Sequence, residues 1–307
     1  MKIEVVLTEA EIVQELAEAV EARDLPEKFF YWSPGAVRAW LARAADPAFG
    51  ELRRTWKQLT AKPGPLLEPF GDAVPVISFG AGDGATDRVL LDPLQQARRE
   101  LKYYPVDGSQ ALLEMACAAA EDLDIETAGI KADISSPMHL VFASDAAESP
   151  KLLLLSGNTL GGFDPLDYVK HVAACLHAGD RLILDAEIHH ANGGVPQEDS
   201  LRAFAFAPLA ALGLSPDDGE VRFEHKADRS IAGLHVTAAH FRPDRDLRIS
   251  TPDREVLVER GEHINLNFRY TFTPEALRTL LEEHGSLLVL EQFPSADRRY
   301  LVSVCSR

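Results

Sequence analysis

The first part of the chain has the hydrophobic spacing of helices. Residues 8–23 place Ile12 and Leu16 on one face, and Thr8 with Glu11 predicts a capping box at the start of this helix. The sequence then predicts, in order, an aromatic loop over 25–35, a second helical stretch over 36–60 and a Lys-Pro-Gly-Pro breaker over 62–65.

Short apolar runs alternate with helical segments in the middle of the chain. The strands predicted here are residues 74–80, 102–107, 129–133, 151–157 and 180–188. Helices are predicted after the first, second and fourth of these strands, at residues 86–101, 109–123 and 164–177. This alternation predicts βαβ units on a parallel sheet with right-handed crossovers.

The pattern changes again after residue 188. A polar, glycine-containing loop over 189–199 and a short helix near 201–213 precede segments with the period-two alternation of antiparallel strands. The chain then has a helical segment, 273–285, and two strand patterns that could pair as a hairpin, 286–294 and 298–307.

Composition narrows the classes of protein that this pattern allows. The chain has 307 residues, with 48 Asp and Glu against 31 Lys and Arg, which leaves a net charge of −17. Such an acidic balance disfavours partners that are polyanionic, namely nucleic acids and anionic membrane surfaces. The three cysteines are widely spaced, and no signal peptide or apolar run of about 18 residues is present, so we expect a cytoplasmic enzyme of small molecules.

A glycine-rich turn is the strongest local motif. Ser78–Gly84 reads SFGAGDG and lies between a buried strand and a helix. Glycines at Gly80 and Gly82 let the backbone approach a ligand closely, although a tight turn without a ligand has the same composition. The spacing is GxGxG, which differs from the GxGxxG of dinucleotide-binding proteins.

Two acidic residues follow the next two strands. Asp107 ends the second strand, where a carboxylate can accept both hydroxyls of a ribose. The alternative for Asp107 is a helix N-cap, a role that Ser109 could also fill. Asp133 ends the third strand and could meet an adenine amino group, or it could be a solvated loop residue.

These motifs together resemble a known enzyme family. The segments LPEKFFY, SFGAGDGATDRVLLD, KYYPVD, LLSGNTLGGFDP and FRYTFTPEAL are similar to those of the S-adenosylmethionine-dependent, histidine-specific N-alpha-methyltransferases of ergothioneine biosynthesis. The resemblance implies an α/β fold, a class I methyltransferase Rossmann-like sheet with a second α+β domain. It divides the chain into 63–188 plus 271–307, which bind the cofactor, and 1–62 plus 189–270, a substrate-binding or lid domain.

The resemblance implies a largely retained cofactor site. The residues that correspond to cofactor contacts are Gly80, Gly82, Asp107, Asp133 and Ile134. Gly157 is a further candidate, because its loop follows the fourth strand at the carboxyl end of the sheet, where ligands bind in such folds. A lysine of the family corresponds to Thr86, so that contact is absent. Tyr31 corresponds to the tyrosine that faces the substrate amine and is the candidate catalytic residue.

The acceptor side departs from the family. Asn158 and Gly162 lie in the second small-residue loop, and Gly162 stands where the family has an asparagine for the substrate amino acid. Asn267 and Arg269 replace the Glu and Ser that hold an imidazole. Histidine is therefore not the expected acceptor, and the Asn267–Arg269 face suits a carboxylate or another anion, unless Arg269 forms a structural ion pair.

His189 and His190 come directly after the fifth strand, at the same sheet edge. They could supply a general base or metal ligands, but no third ligand has a recognisable spacing, so no metal site is predicted. The favoured interpretation is that both are surface or loop residues without a chemical role.

Four functional hypotheses remain at this stage. The first is methylation of a small amino-acid-like metabolite, at nitrogen by resemblance alone, with S-adenosylmethionine as the methyl donor. The others are cleavage or cyclisation of the cofactor, a non-catalytic cofactor-binding protein and, least favoured by the spacing and the antiparallel segment, a nicotinamide dehydrogenase.

Overall fold

The computed structural model describes residues 2–61, 66, 68–97, 100–190, 199–251 and 254–307. The predicted breaker over 62–65 and residues 191–198 of the predicted polar loop lie outside these ranges. None of the helices in the described part of the chain combines the length and hydrophobicity needed to cross a bilayer.

The helices follow the predicted order, with corrections near the start of the chain. They are α1 (Glu9–Ala22), α2 (Phe29–Trp32), α3 (Pro34–Ala44), α4 (Pro47–Ala61), α5 (Ala85–Gln96), α6 (Gln110–Glu121), α7 (Pro137–Ser144), α8 (Pro165–Ala174), α9 (Asp199–Ala211) and α10 (Pro274–Thr279), which continues as a π-helical turn, Leu280–His284. The predicted aromatic loop contains α2 and the start of α3. The predicted 36–60 helix is two helices, because α3 ends just before Pro47, which favours a new helix start.

The strands are β1 (Lys2–Val5), β2 (Ala73–Phe79), β3 (Glu100–Asp107), β4 (Glu126–Lys131), β5 (Leu152–Leu155), β6 (Arg181–Glu187), β7 (Gly219–Ala227), β8 (Leu234–Pro243), β9 (Leu247–Ser250), β10 (Glu255–Val258), β11 (Ile264–Phe272), β12 (Leu288–Pro294) and β13 (Tyr300–Ser306). Strand β1 was not predicted from the sequence. It is short, mostly exposed and pairs in parallel with β4 at the edge of the large sheet.

The large sheet has the order β1-β4-β3-β2-β5-β6-β13-β12 within the described residues. Its strands are parallel except for β13, which runs antiparallel to both β6 and β12. The predicted terminal hairpin is thus confirmed, as is the class I methyltransferase Rossmann-like α/β fold. The order along the sheet reverses between β2 and β5, and in such folds ligands bind at this point, beyond the carboxyl ends of the strands.

Antiparallel strands form two further sheets, β11-β8-β7 and β10-β9. The inward side chains of both small sheets pack with helices α1–α3 and α9 in one hydrophobic core. This core includes Phe30, Phe204 and Phe241. Helix α4 belongs elsewhere, because Leu52 and Trp56 pack into the core of the large sheet. The division at residue 62 stays a prediction, and the packing of β1 and α4 joins parts of 1–62 to the large sheet.

Gly84 fixes the approach of two helices beside the glycine-rich turn. It is the N-cap of α5 with a φ of 73°, and a Cβ added there would lie 2.9 Å from Cα of Ala116 in α6. Neither the backbone conformation nor the contact tolerates a side chain.

We expect Gly84→Ala to lower the free energy of unfolding by about 2–4 kcal/mol, the sum of left-handed strain and overpacking. Gly213→Ala is the matched control, since Gly213 has a φ of 86° but no atom within 4 Å of its Cβ position. It should cost only about 1 kcal/mol. Urea unfolding measures both, and equal losses would show that the contact with Ala116 is unimportant.

Candidate active site

One cavity of about 550 Å³ opens at the switch point of the large sheet. Its wall combines the glycine-rich turn, the ends of β3, β4 and β6, part of α3 and α4, and strands of the β11-β8-β7 sheet. The cavity therefore brings both halves of the predicted site together.

The glycine-rich turn is held against the end of β3. Gly80 N–H donates to the Val106 carbonyl at 2.8 Å, and Gly82 N–H donates to Oδ2 of Asp107 at 2.9 Å. Gly82 has a φ of 56°, and a Cβ there would lie 2.8 Å from Cη2 of Trp40. The sequence needs glycine at this point because the α3 indole lies directly over the turn.

Asp107 is buried beside this turn. Its Oδ1 also accepts the Ser109 N–H at 2.8 Å, and burial raises the pKa of Asp107 to about 6 although the backbone donors oppose this. Ser109 is the N-cap of α6, since its side chain accepts the Leu112 N–H. The N-cap alternative for Asp107 is therefore wrong, and its carboxylate faces the cavity with lone pairs to spare.

Asp133 and Ile134 lie on the neighbouring wall. Oδ2 of Asp133 accepts from Nζ of Lys28 at 2.7 Å, and Oδ1 accepts the Oγ–H of Ser135 at 2.6 Å. Burial works against the charge of Asp133, but the Lys28 ammonium keeps the pKa of this carboxyl below its usual value. The solvated-loop alternative is wrong, since Asp133 is only 8% exposed.

The second small-residue loop is anchored by a buried carboxylate. Asp185 accepts the backbone N–H groups of Gly157 at 2.9 Å and Asn158 at 2.6 Å, and Nε1–H of Trp56 at 2.9 Å. Burial raises the pKa of Asp185 to about 6. Asn158 is in the left-handed region, and its Oδ1 accepts the Glu187 N–H at 2.8 Å, so this amide oxygen positions the loop.

A carboxyl group that the sequence did not single out occupies the acceptor side. Tyr31 Oη–H donates to Oε1 of Glu27 at 2.7 Å. The same Oε1 lies 3.6 Å from the Cβ position of Gly162, so Glu27 lies against the loop where the family carries an asparagine. Burial raises the pKa of Glu27 to about 7, with the Tyr31 hydrogen bond opposing it.

Arg269 is balanced by an acid. Its guanidinium contacts the Glu187 carboxylate, and both side chains are largely buried. Burial lowers the pKa of Arg269 to about 9, which still leaves the guanidinium charged at neutral pH beside the Glu187 carboxylate. The alternative of a structural ion pair is thus confirmed. A register shift lies between Asn265 and Phe268, and Asn267 lines the cavity together with Arg269.

Three other arginines face the same cavity: Arg43, Arg53 and Arg299. Each is half-buried, and no acidic side chain within the described residues forms an ion pair with any of them. Arg43 is close enough to Arg269 to disfavour its charge. In a chain with 17 excess negative charges, the charged groups on this wall balance: the five basic side chains are Lys28, Arg43, Arg53, Arg269 and Arg299, and the five acidic ones are Glu27, Asp83, Asp107, Asp133 and Glu187.

Comparison with known protein families identifies the family of this chain. Residues 8–195 match the family model described as "Histidine-specific methyltransferase, SAM-dependent". The chain belongs to this family. It is an S-adenosylmethionine-dependent methyltransferase.

Sequence identity to individual proteins of known name or structure is low. The chain is 25% identical to the Histidine N-alpha-methyltransferase of Mycolicibacterium smegmatis over 280 residues, which cover 86% of this chain and 84% of that protein. Solved structures with some similarity include the CcbJ methyltransferase from Streptomyces caelestis, with a TM-score of 0.40, 13% identity and coverage of 81% and 94% of the two chains. An O-methyltransferase family protein from Burkholderia thailandensis has a TM-score of 0.44 and 13% identity, over 96% of this chain and 67% of that one.

The structure of the methyltransferase gathers the predicted site residues around one cavity. Those on its wall are Tyr31, Gly80, Gly82, Thr86, Asp107, Asp133, Ile134, Gly157, Asn158, Gly162, His189, His190, Asn267 and Arg269. Their individual roles toward cofactor and acceptor stay predictions. Asp107 faces the cavity beside the glycine turn and supplies the acidic acceptor that a bound ribose requires, so the residues fit S-adenosylmethionine.

Residues of the cavity wall that the sequence did not single out include Glu27, Arg43, Arg53, Glu187 and Arg299. Glu27 lies in the segment read as an aromatic loop, and its neighbour Gly162 is far away in sequence. The one available signal was that glycine stands at position 162, where the family has an asparagine. The loss of that side chain implies that another one occupies the space it would fill.

Proposed function

We propose that this methyltransferase methylates the amino nitrogen of a small amino-acid-like metabolite that carries an additional anionic group, and that this acceptor is not histidine. The observation that carries the proposal is the half-buried, hydrogen-bonded Glu27–Tyr31 pair beside Gly162, in a cavity whose wall also holds three arginines that form no ion pair within the described residues.

The cofactor side supports binding through the residues that the sequence predicted. The glycine turn would lie against the amino-acid part of S-adenosylmethionine, Asp107 would accept the ribose hydroxyls, and Asp133 and Ile134 would border the adenine. The cofactor supplies an electrophilic methyl group. Every other requirement, namely alignment, exclusion of water and removal of a proton, falls to the protein.

Glu27 supports an amine as the acceptor. An ammonium has no lone pair, so a proton must leave before the nitrogen attacks the methyl group. A carboxylate with a pKa near neutrality is suited to take it, and the Tyr31 hydroxyl holds Oε1 in place.

The arginines support an anionic acceptor. Arg269 is paired with Glu187, whereas Arg43, Arg53 and Arg299 form no ion pair within the described residues, although Arg299 lies near enough to Asp297 to interact electrostatically with that carboxylate. A guanidinium binds a carboxylate or phosphate by two parallel hydrogen bonds. A second candidate acceptor is histidine, which the names of the family and of the mycobacterial relative favour.

A panel assay separates the candidates. S-adenosylhomocysteine formation is measured with histidine, aspartate, glutamate, phosphoserine, uncharged amino acids and no acceptor. We expect the highest kcat/KM with an anionic amine. Fastest turnover with histidine would overturn the acceptor class, and a cofactor-derived product without acceptor would favour cleavage or cyclisation. Tight cofactor binding with no turnover of any amine would favour a non-catalytic protein.

We expect Arg43→Ala to raise KM for the anionic acceptor by about 10- to 150-fold, with little change in kcat, because one charged hydrogen-bonded contact is lost. Arg38→Ala is the matched control on the same helix, since Arg38 is exposed and lies outside the cavity wall. Steady-state kinetics measure both variants. An unchanged KM in Arg43→Ala would place the acceptor anion elsewhere.

A further inference from the structure

Three histidines from different elements meet on one side of the cavity. His189 follows β6, His225 lies on β7 and His235 lies on β8. One ring nitrogen from each lies within 4.8 Å of the others. His189 and His225 also line the cavity, so the cluster borders the space proposed for the acceptor.

The three imidazoles are stacked. The ring centroids of His189 and His235 are 3.5 Å apart, those of His189 and His225 are 5.4 Å apart, and the planes are within 9° of parallel. Charged imidazolium rings would repel one another at these distances. The close stacking therefore favours neutral rings, each of which has one nitrogen lone pair.

The hydrogen bonds around the rings leave ligand atoms free. Nδ1 of His225 lies 3.1 Å from Oγ1 of Thr237, and its Nε2 forms no hydrogen bond within the part of the chain that the structure describes. Nδ1 of His235 is shielded from solvent and has no hydrogen-bond partner within the described residues. A shielded ring nitrogen without a partner is costly unless something else satisfies it.

The backbone holds all three positions firmly. His189 N–H donates to the Phe272 carbonyl of β11 at 2.8 Å, and His225 and His235 lie opposite Thr237 and Ala227 in the β7–β8 ladder. Because the ring planes are nearly parallel, binding of one ion by all three nitrogens requires the rings to rotate about their side-chain torsions.

We infer that His189, His225 and His235 form a binding site for a divalent transition-metal ion of the zinc type on the wall of the cavity. Imidazole ligands suit zinc, cobalt, nickel and copper, whereas calcium and magnesium require oxygen ligands. Three protein ligands leave a coordination position open, as in catalytic rather than structural zinc sites. That position would face the cavity beside His189 and His225. The Thr237 hydroxyl is placed to orient the His225 ring.

Cobalt binding tests the site in the untagged, full-length protein after treatment with a chelator. Co²⁺ is titrated while its visible absorption is recorded, and zinc is then added as a competitor. We expect one Co²⁺ per chain with a nitrogen-ligand spectrum that zinc abolishes. His225→Ala and His235→Ala should each weaken binding by more than about 100-fold, since the loss of even a second-shell partner costs roughly 10–100-fold.

His240→Ala and His263→Ala are the matched controls, because these two histidines also face each other, with ring centroids 5.0 Å apart, but without a third. Both should bind Co²⁺ as the unaltered protein does. Binding of S-adenosylhomocysteine checks that each variant is folded. If an alanine variant does not fold, Thr237→Val keeps all three ligands and should weaken Co²⁺ binding about 10- to 100-fold. Absence of specific Co²⁺ binding, or equal binding by all folded variants, would overturn the inference.

Discussion

Replacing Glu27 with glutamine is expected to lower kcat by about 10²–10⁴-fold, the usual contribution of a positioned general base. The substitution keeps the shape of the side chain and still lets Tyr31 donate to Oε1, so binding should change little. The measurement is S-adenosylhomocysteine formation at saturating cofactor and acceptor. A kcat within threefold of the unaltered enzyme would exclude Glu27 as the base.

The pH profile gives this prediction a readout that a structural role would not change. The pKa of Glu27 is raised to about 7, and only the carboxylate can accept a proton, so activity should rise with pH and level off above about 7. Glu27→Gln should lose this limb. Tyr31→Phe removes the hydrogen bond that lowers the pKa of Glu27, so it should move the limb to higher pH.

The pH dependence of the free energy of unfolding tests the raised pKa of Glu27 without an acceptor. A carboxyl whose pKa is higher in the folded state than in the unfolded state stabilises the fold at low pH, and this contribution is lost as pH rises from about 4.5 to about 7. The unaltered protein should therefore lose up to about 3 kcal/mol relative to Glu27→Gln between pH 4.5 and pH 8. Urea unfolding at both pH values measures the difference. A constant difference would contradict the raised pKa.

The second large effect is expected from Asp107→Asn, which should weaken binding of S-adenosylhomocysteine by at least about tenfold and up to about 150-fold. The carboxylate accepts backbone N–H groups of Gly82 and Ser109 and would also accept the ribose, and hydrogen bonds to charged groups contribute about 1.5–3 kcal/mol each. An amide offers one acceptor atom and directs its N–H₂ at a donor.

Isothermal titration calorimetry measures the dissociation constant. Asp122→Asn is the control, because Asp122 is exposed on the surface, at the end of α6. The acceptor KM at saturating cofactor should be nearly unchanged in Asp107→Asn. Unaltered cofactor affinity would remove Asp107 from the ribose contact.

Local patterns were sufficient to predict most of the fold. The buried runs that became β2, β5 and β6 have no polar face, which is the pattern of central parallel strands. The capping box of Thr8 and Glu11 is present at the start of α1. Strand β1 escaped prediction because its four residues pair on one side only and form too short a run, although polar and apolar residues alternate in it.

The acceptor side could not be predicted from spacing, because its contacts join distant segments. Glu27 meets Gly162, and Arg269 meets Glu187, across elements whose packing no local pattern specifies. The histidine cluster is similar. His225 and His235 are single residues in alternating strands, and only the β7–β8 register brings them to His189.

Lys28 and Glu27 are adjacent in the chain but serve different walls of the cavity. Lys28 pairs with Asp133 on the side predicted for the adenine, whereas Glu27 lies against the loop on the acceptor side. A shift of this one short segment would thus disturb both. With the roles proposed for Glu27 and Asp133, we expect a substitution that displaces this segment to change acceptor preference and cofactor affinity together.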